Sequence, residues 1–375
     1  MNIAWFIFIT CVIAAVQSYI FNRWGLAKIE YDRYFNKDAV FAGEEIELVD
    51  KISNNKILPI PWLRLESKIH KQLKFLNRHD IQKEEHSDEF HRTLFSLLPF
   101  QKITRRHKIR CQKRGFYELT SVSLTIGDVL GLGETFHYVE SKTAIIVYPE
   151  IISIDEIPLP SRSWLGDILV KRWIIDDPFT LAGIRNYTYG DSMNTVNWKA
   201  TARTNSLQVN KRDTTADHEL IIYVNFDDTE DIWLPIQKPE LIEKAISFAA
   251  SLAHYTISNG MSTGFACNSY LVEPFGSGQV TNHKTPIRIE ASNGQQHLTS
   301  IYDTMAKLSM DKSISFNRFF QEETQNLKDT DVLIITSILT DSMQETIRKL
   351  EHHGNKIEIL IVSEQHDLPQ QANWR

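Results

Sequence analysis

Leu220-Ile221-Ile222-Tyr223-Val224 is an unbroken apolar run, and its reading decides the class of the chain. A strand apolar on both faces must be covered on both sides, which is the situation of a central strand in a parallel sheet. Downstream, Pro239 opens a helix whose apolar positions Ile242, Ala245, Ile246, Ala249, Leu252 and Ala253 recur at helical spacing until Gly260 closes it. Thr263 to Tyr270 reads as the next strand. Leu298, Ile301, Tyr302, Met305 and Leu308 mark a second helix, and Phe316, Phe319 and Phe320 a third. Asp331 to Ile338 is another central strand, Asp341 is expected to cap a helix that runs to Gly354, and Ile357 to Val362 is the last strand. This alternation predicts a doubly wound α/β unit over residues 219–375.

Immediately before that unit, Gly183 to Asp213 reads GIRNYTYGDSMNTVNWKATARTNSLQVNKRD. Gly190-Asp191 is a turn pair, Asn197 to Arg203 suits one or two helical turns or a tight corner, and Leu207 to Asn210 returns to strand-like alternation. The order Arg185-x-Tyr187, Gly190-Asp191, Asn197-Trp198-Lys199-Ala200-Thr201-Ala202-Arg203, then Leu207-x-Val209 resembles the hallmark of the bacterial family catalogued as domain of unknown function 58. The resemblance implies that the C-terminal unit is a von Willebrand factor A-like, Rossmann-type domain. It also implies an accessory partner of the MoxR-type AAA+ ATPase class.

In a von Willebrand A fold a divalent cation is held beyond the first strand by Asp-x-Ser-x-Ser, where hard oxygen ligands converge. The matching positions are Asn225, Asp227 and Thr229, so an amide replaces the first carboxylate, and Thr336 to Thr340 offer no acid before Asp341. The expectation is a metal-free remnant without a cofactor; the alternative is a metal-dependent cell-envelope enzyme rebuilt around Asp227 and Asp228.

Two readings of the motif follow. In the structural one Trp198 is a buried anchor, and Arg185 and Arg203 pair with Asp191 or bind carbonyls. In the recognition one Arg185, Lys199 and Arg203, with Tyr187, Gly190, Asp191 and Trp198, receive an anionic group or acidic peptide. Thr201 and Thr204 have no histidine nearby in sequence and no Gly-x-Ser-x-Gly turn exists, so no nucleophile and base are implied and a non-enzymatic protein is expected.

At the other end, Ile3 to Phe21 is apolar except for Thr10, Gln17 and Ser18, long enough for one transmembrane helix. The rival reading is a cleaved signal peptide, which calls for a charged n-region and a small-residue cleavage site that Met1-Asn2 and the bulky Tyr19-Ile20-Phe21 end supply poorly. Arg23, Lys28 and Arg33 follow the span, so the positive-inside rule puts the C-terminal part in the cytoplasm. Family members often show two close spans, whereas this chain shows one. Between Ile29 and Glu150, short alternating runs (Ala39 to Val49, Trp62 to Ile69, Phe90 to Leu98, His107 to Arg110, Leu119 to Thr125, Thr143 to Val147) predict a β-sandwich-like domain. Pro59 and Pro61 are expected to end ladders. The whole is thus an α+β multidomain protein: anchor 1–28, sandwich-like domain 29–150, linker and motif 151–218, α/β domain 219–375.

The remaining signals are weaker. Lys102, Arg105, Arg106, Lys108, Arg110, Lys113 and Arg114 form a basic run, read first as a solvated strand face. The alternative is an anionic-lipid or nucleic-acid patch with Phe116 and Tyr117 as stacking residues. At a net charge of −6 no general nucleic-acid field is expected. His79, His86 and His91 lie scattered in a polar stretch, Gly276-Ser277-Gly278 lacks the context of a phosphate cradle, His352-His353 suits a helix end, and three separated cysteines give no disulfide framework.

Overall fold

The computed structural model describes residues 3–76, 90–128, 131, 133–159, 181–188, 193, 196–212, 219–229, 234–272, 284–323, 327, 330–352 and 354–363. They fall into two compact units, one built chiefly from the chain up to Glu150 and the other chiefly from Ile151 onward.

The first unit begins with helix α1, Ile3–Trp24. It is long and apolar enough to cross a membrane. Among the described residues nine strands follow: β1 Ile29–Phe35, β2 Ala39–Phe41, β3 Glu45–Asn54, β4 Ile60–Lys68, β5 Leu73–Phe75, β6 Phe90–Leu97, β7 Lys102–Cys111, β8 Gly115–Gly127 and β9 Glu134–Tyr148. They form a four-stranded sheet β1-β3-β7-β5 and a five-stranded sheet β2-β9-β8-β4-β6. Among these described strands β2 and β9 pair in parallel and the other ladders are antiparallel.

The expected run Ala39 to Val49 is broken in two because Gly43 turns the chain at φ 90°. Pro61 does not end a ladder. It lies inside β4, where a register shift between Ile60 and Leu63 absorbs the missing donor. Strand β7 starts earlier than expected, since its outward positions Lys102, Thr104, Arg106, Lys108 and Arg110 are exposed and the intervening residues turn inward. Charge on one face concealed the alternation.

The two sheets share a core, and that core is divided. One cluster contains Phe35, Leu48, Ile109, Leu119 and Ile145. The other contains Ile52, Leu65, Phe95 and Val122, with Tyr31, Ile103 and Val139 packed on it. Along each of several strands the boundary is polar and buried: Arg33, Asp50, Ser67, Thr93, His107 and Thr143. Asp50 is its centre. Arg33 Nε and Nη2 donate to its two oxygens at 2.6 and 3.2 Å, Tyr31 Oη donates at 2.6 Å, and His107 Nε2 lies 3.4 Å away. Thr143 Oγ1 donates to the Arg33 carbonyl at 2.8 Å, tying β9 to β1 across the two sheets. His91 is stacked on Phe75 at 4.4 Å and meets His107 edge-on at 4.6 Å, so it belongs to this layer; His79 and His86 lie outside the described residues.

In the second unit β12 (Glu219–Val224) is flanked by β13 (Ser262–Cys267) and β15 (Asp331–Thr336), both parallel to it. Strand β16 (Lys356–Ile361) continues the parallel set, and β14 (Ile287–Ser292) adds an antiparallel edge, giving the order β14-β13-β12-β15-β16. The edge strand β14 was not anticipated, because its burial alternates and no apolar run marks it. Gly264 is required beside it: a Cβ there would meet the Ile289 carbonyl oxygen at 2.8 Å.

Helices cover both faces. Ile221, Tyr223, Val332 and Ile334 pack with Phe316, Phe319 and Phe320 of α5 (Phe316–Glu323) and with Met343, Ile347 and Leu350 of α6 (Asp341–His352). On the opposite face lies α3 (Pro239–Ser258), whose Thr256 hydroxyl is 2.7 Å from that of Thr263. Helix α4 (Gln295–Lys307) places His297 Nε2 2.7 Å from the Thr263 carbonyl. The cap of α6 is Thr340, not Asp341: Thr340 Oγ1 accepts from Met343 N at 3.3 Å, and Asp341 is the first helical residue.

Burial pushes the Asp50 carboxyl up, but His107, Arg33 and Tyr31 outweigh it and hold it well below the usual carboxylate range. Its stabilising contribution is therefore full above the unfolded value near pH 4 and is lost as pH falls through the lower folded value. Asp50→Asn strands the buried Arg33 guanidinium, and a loss of about 3–5 kcal/mol is expected. Unfolding of the detergent-solubilised protein from pH 7 down to acid checks both points, the variant showing a shallower acid limb than wild type.

Candidate functional site

The motif folds as a two-stranded hairpin, β10 (Leu181–Asn186) antiparallel to β11 (Gln208–Arg212), with the short helix α2 (Trp198–Thr204) between them in sequence. Asn197 starts α2: its side chain accepts from Ala200 N at 3.0 Å, and its own amide donates to the Gln208 carbonyl at 2.8 Å. Asn205 ends α2 in the left-handed region at φ 54°.

Gln208 is the clasp. Its amide donates to Thr201 Oγ1 at 3.0 Å, and its Nε2 donates to Asn186 Oδ1 at 2.5 Å and Ser206 Oγ at 2.9 Å. The apolar contribution comes from Val196 and Val209, both buried and bridged across the hairpin. Asn186 and Gln208 were not among the residues anticipated from sequence. Polar side chains in a strand carry no periodic signal, so only the register Asn186 opposite Gln208 reveals them.

The anticipated residues lie elsewhere. Trp198 is 65% exposed, so it is not the buried anchor that the structural reading required. Lys199 and Arg203 are exposed on the same helix, Arg185 is exposed and donates to Thr188 Oγ1 at 2.8 Å, and Tyr187 is half-buried. Ile184, Met193 and Leu207 are exposed as well. Gly190 and Asp191 lie outside the described residues.

The second candidate is the carboxyl end of β12. Asn225 is fully buried; its Nδ2 donates to Thr336 Oγ1 at 2.9 Å, and its Oδ1 accepts from Asp227 N at 2.8 Å. Asp227 Oδ2 accepts from Phe316 N at 2.7 Å, at the start of α5, and its Oδ1 accepts from Asn268 Nδ2 at 3.2 Å with Lys312 Nζ 3.8 Å away. Burial raises the Asp227 pKa against these partners. Asp228 Oδ2 accepts from Lys238 N at 2.7 Å and from Gln237 N, just ahead of α3.

The two carboxylates thus serve the amino ends of two helices, where negative charge is favoured. Thr229 is half-buried. Among the described residues no group of three or more His, Cys, Asp or Glu converges as a metal site would require. The basic run is partly compensated within its own sheet: Arg110 pairs with Glu45 at 2.7 Å and Arg106 with Glu47 at 3.7 Å. Arg114 is buried, and Tyr117 belongs to the core, so it is not free to stack on a ligand.

Residues 183–374, just over half of the chain, match the family described as "Protein of unknown function DUF58". The chain belongs to the DUF58 family. It is 20% identical over 365 residues to the uncharacterized protein YeaD of Bacillus subtilis (strain 168), covering 96% of this chain and 83% of YeaD. Among solved structures, a non-cellulosomal cohesin from Archaeoglobus fulgidus is similar to 34% of this chain over 94% of its own, at 13% identity and a TM-score of 0.22. A CARDB domain from Pyrococcus furiosus is similar to 32% of this chain over 93% of its own, at 13% identity and a TM-score of 0.21. Scores of that size carry no argument about this DUF58 protein.

Asn225 is expected to resist replacement by the acid. The Thr336 hydroxyl already donates to the Ile338 carbonyl at 2.5 Å, so a carboxylate at 225 faces an oxygen without a donor. Asn225→Asp should cost about 1–3 kcal/mol. Thermal unfolding with and without Mg²⁺ checks this, the loss persisting when the cation is added.

Proposed function

We propose that this DUF58 protein is a membrane-anchored, non-enzymatic interaction module whose motif hairpin presents Trp198, Lys199 and Arg203 to an acidic surface on a protein partner. The family resemblance favours a MoxR-type AAA+ ATPase as that partner. The observation that carries the reading is the exposure of Trp198. The hairpin is held by Asn197, Thr201, Gln208, Val196 and Val209, and the largest side chain of the motif is left in water beside two exposed cations.

Aromatic and arginine side chains dominate the energetics of protein interfaces, and a tryptophan that contributes little to its own fold is a natural anchor. In this reading the sheet around β12 is a von Willebrand A-like domain, the paired sheets of the first unit are a β-sandwich, and both lie on the cytoplasmic side of the membrane. The engagement of Asn225, Asp227 and Asp228 within the fold supports binding over metal-assisted catalysis, because both oxygens of Asp227 and Oδ2 of Asp228 already accept hydrogen bonds from the protein.

The test is binding of the solubilised full-length protein to a purified MoxR-type ATPase from the same organism. Trp198→Ala and the double variant Lys199→Glu/Arg203→Glu should abolish binding while shifting stability by no more than about 0.5 kcal/mol, as exposed substitutions do. Unaltered binding by folded variants removes the hairpin from the interface, and unfolding of Trp198→Ala returns the motif to a structural role. A rise in melting temperature of the wild type with Mg²⁺ or Mn²⁺ would favour the metal enzyme instead.

A further inference from the structure

The end of the first unit that receives α1 carries a set of exposed apolar side chains. At this end β1, β4, β7 and β9 begin and β3, β6 and β8 finish, as the pairings Ile29–Asn54, Ser53–Lys102, Ile60–Leu97 and Gly127–Glu134 show. Asn54, fully buried, ties the turns together: its Nδ2 donates to the carbonyls of Leu58 and Leu98, and its amide donates to that of Gln101. The turns so fixed expose Ile57 at 79%, Leu98 at 64% and Phe100 at 70%. Phe136 and Tyr138 stand exposed on β9 as an edge-to-face pair 5.8 Å apart.

Phe100 is the most telling of these. It sits at φ 54°, where a bulky side chain is strained and asparagine or glycine is the ordinary choice. Its amide donates to the Lys56 carbonyl at 3.3 Å, but the ring itself projects into solvent.

Helix α1 is locked to the same end. Lys56 Nζ donates to the Trp24 carbonyl at 2.7 Å and to that of Gly25, and Thr135 Oγ1 donates to Asn22 Oδ1 at 2.8 Å. Gly25 cannot be larger, because a Cβ there would collide with the Ile126 side chain and the Phe21 carbonyl. Ser18, Phe21 and Asn22 line one cleft with Gly127, Asp128, Gly133, Glu134 and Thr135.

Depth follows from length. The 22 residues of α1 rise about 33 Å at 1.5 Å per residue, close to the thickness of a hydrocarbon core of about 30 Å. Nearly all of α1 is therefore needed to cross, yet the folded unit already grips it at Ser18, about 9 Å before its last residue. The rim must reach the level of the lipid headgroups.

We infer that the rim formed by Ile57, Leu98 and Phe100, with Phe136 near the start of β9, is seated in the headgroup and upper acyl layer of the bilayer that α1 spans. The partner is the lipid surface itself. Aromatic side chains favour that layer, and Trp24, Arg23, Lys28 and Lys102, all exposed at this end, complete the aromatic and cationic chemistry usual there. The exposed acids Glu30 and Glu134 share the end, so the attraction rests on apolar insertion more than on charge. The seat fixes the first unit against the membrane and limits its rotation about the helix. This inference rests on α1 as a membrane span and is independent of the partner proposed for the motif hairpin.

The experiment uses the full-length protein in phosphatidylcholine vesicles, with Cys11→Ser as background because Cys111 and Cys267 are buried. An environment-sensitive label is placed in turn at Ile57→Cys, Leu98→Cys and Phe100→Cys, at Ile9→Cys within α1, and at Glu44→Cys at the far end of the sheets. Labels at 57, 98 and 100 are expected to be blue-shifted and quenched several-fold more by nitroxide lipid than the label at 44. If the label at 9 is quenched while those on the rim stay as open to aqueous iodide as the label at 44, the seat is overturned and the span stands. Rim labels that are shielded from iodide without lipid quenching overturn it too, in favour of a protein contact. Failure of quenching at 9 overturns the span and the seat together.

Discussion

A strand with no polar face leaves the C-terminal half of the chain little choice. Leu220 to Val224 is buried throughout, and only a position with strands on both edges and helices on both faces removes all of it from water. Helix α3 takes one face and the phenylalanines of α5 with the apolar side of α6 take the other. The chain's next polar residues, Asn225 to Asp228, emerge in a crowded place. Every oxygen and amide there must find a partner, and most find one in the backbone of a neighbouring helix or strand.

That crowding explains why an amide suits position 225. Asparagine both donates and accepts, and here it does so between Thr336 and Asp227, joining β15 to the chain leaving β12. A carboxylate offers acceptors alone. The same economy recurs in the first unit, where Asp50 accepts from Arg33 and Tyr31 in a layer of polar groups between two apolar clusters. A buried charge in such a layer is costly to desolvate and is tolerated only with its partners in place. What the layer gives in return is register: a strand shifted by one residue would lift Arg33, Asp50 or His107 out of it.

The motif by which the chain resembles its family divides its labour between small and large side chains. Asn197, Thr201 and Gln208 close the hairpin; Trp198, Lys199 and Arg203 are turned outward. Trp198 is exposed and contributes little to the fold of the hairpin, which is why we propose a contact for it outside the chain. The rim beside α1 repeats the pattern with Phe100 held against its backbone preference. We propose a protein for the first surface and a bilayer for the second.

The sequence by itself determined the elements whose patterns are strong: the apolar helix α1, the helices α3, α4, α5 and α6, the buried strands β12, β13 and β15, and the family to which Gly183 to Asp213 belongs. Each rests on local composition, periodicity or motif spacing, which need no knowledge of distant residues. Tertiary structure alone decided the rest. Whether Trp198 is buried depends on what lies over it, and Asn186 meets Gln208 only through strand pairing. Arg33, Asp50 and His107 look like ordinary charges of solvent-facing strands until the ladders bring them opposite one another. Period and propensity belong to neighbouring residues; exposure and partnership belong to residues far apart in sequence, and only the folded chain brings those together.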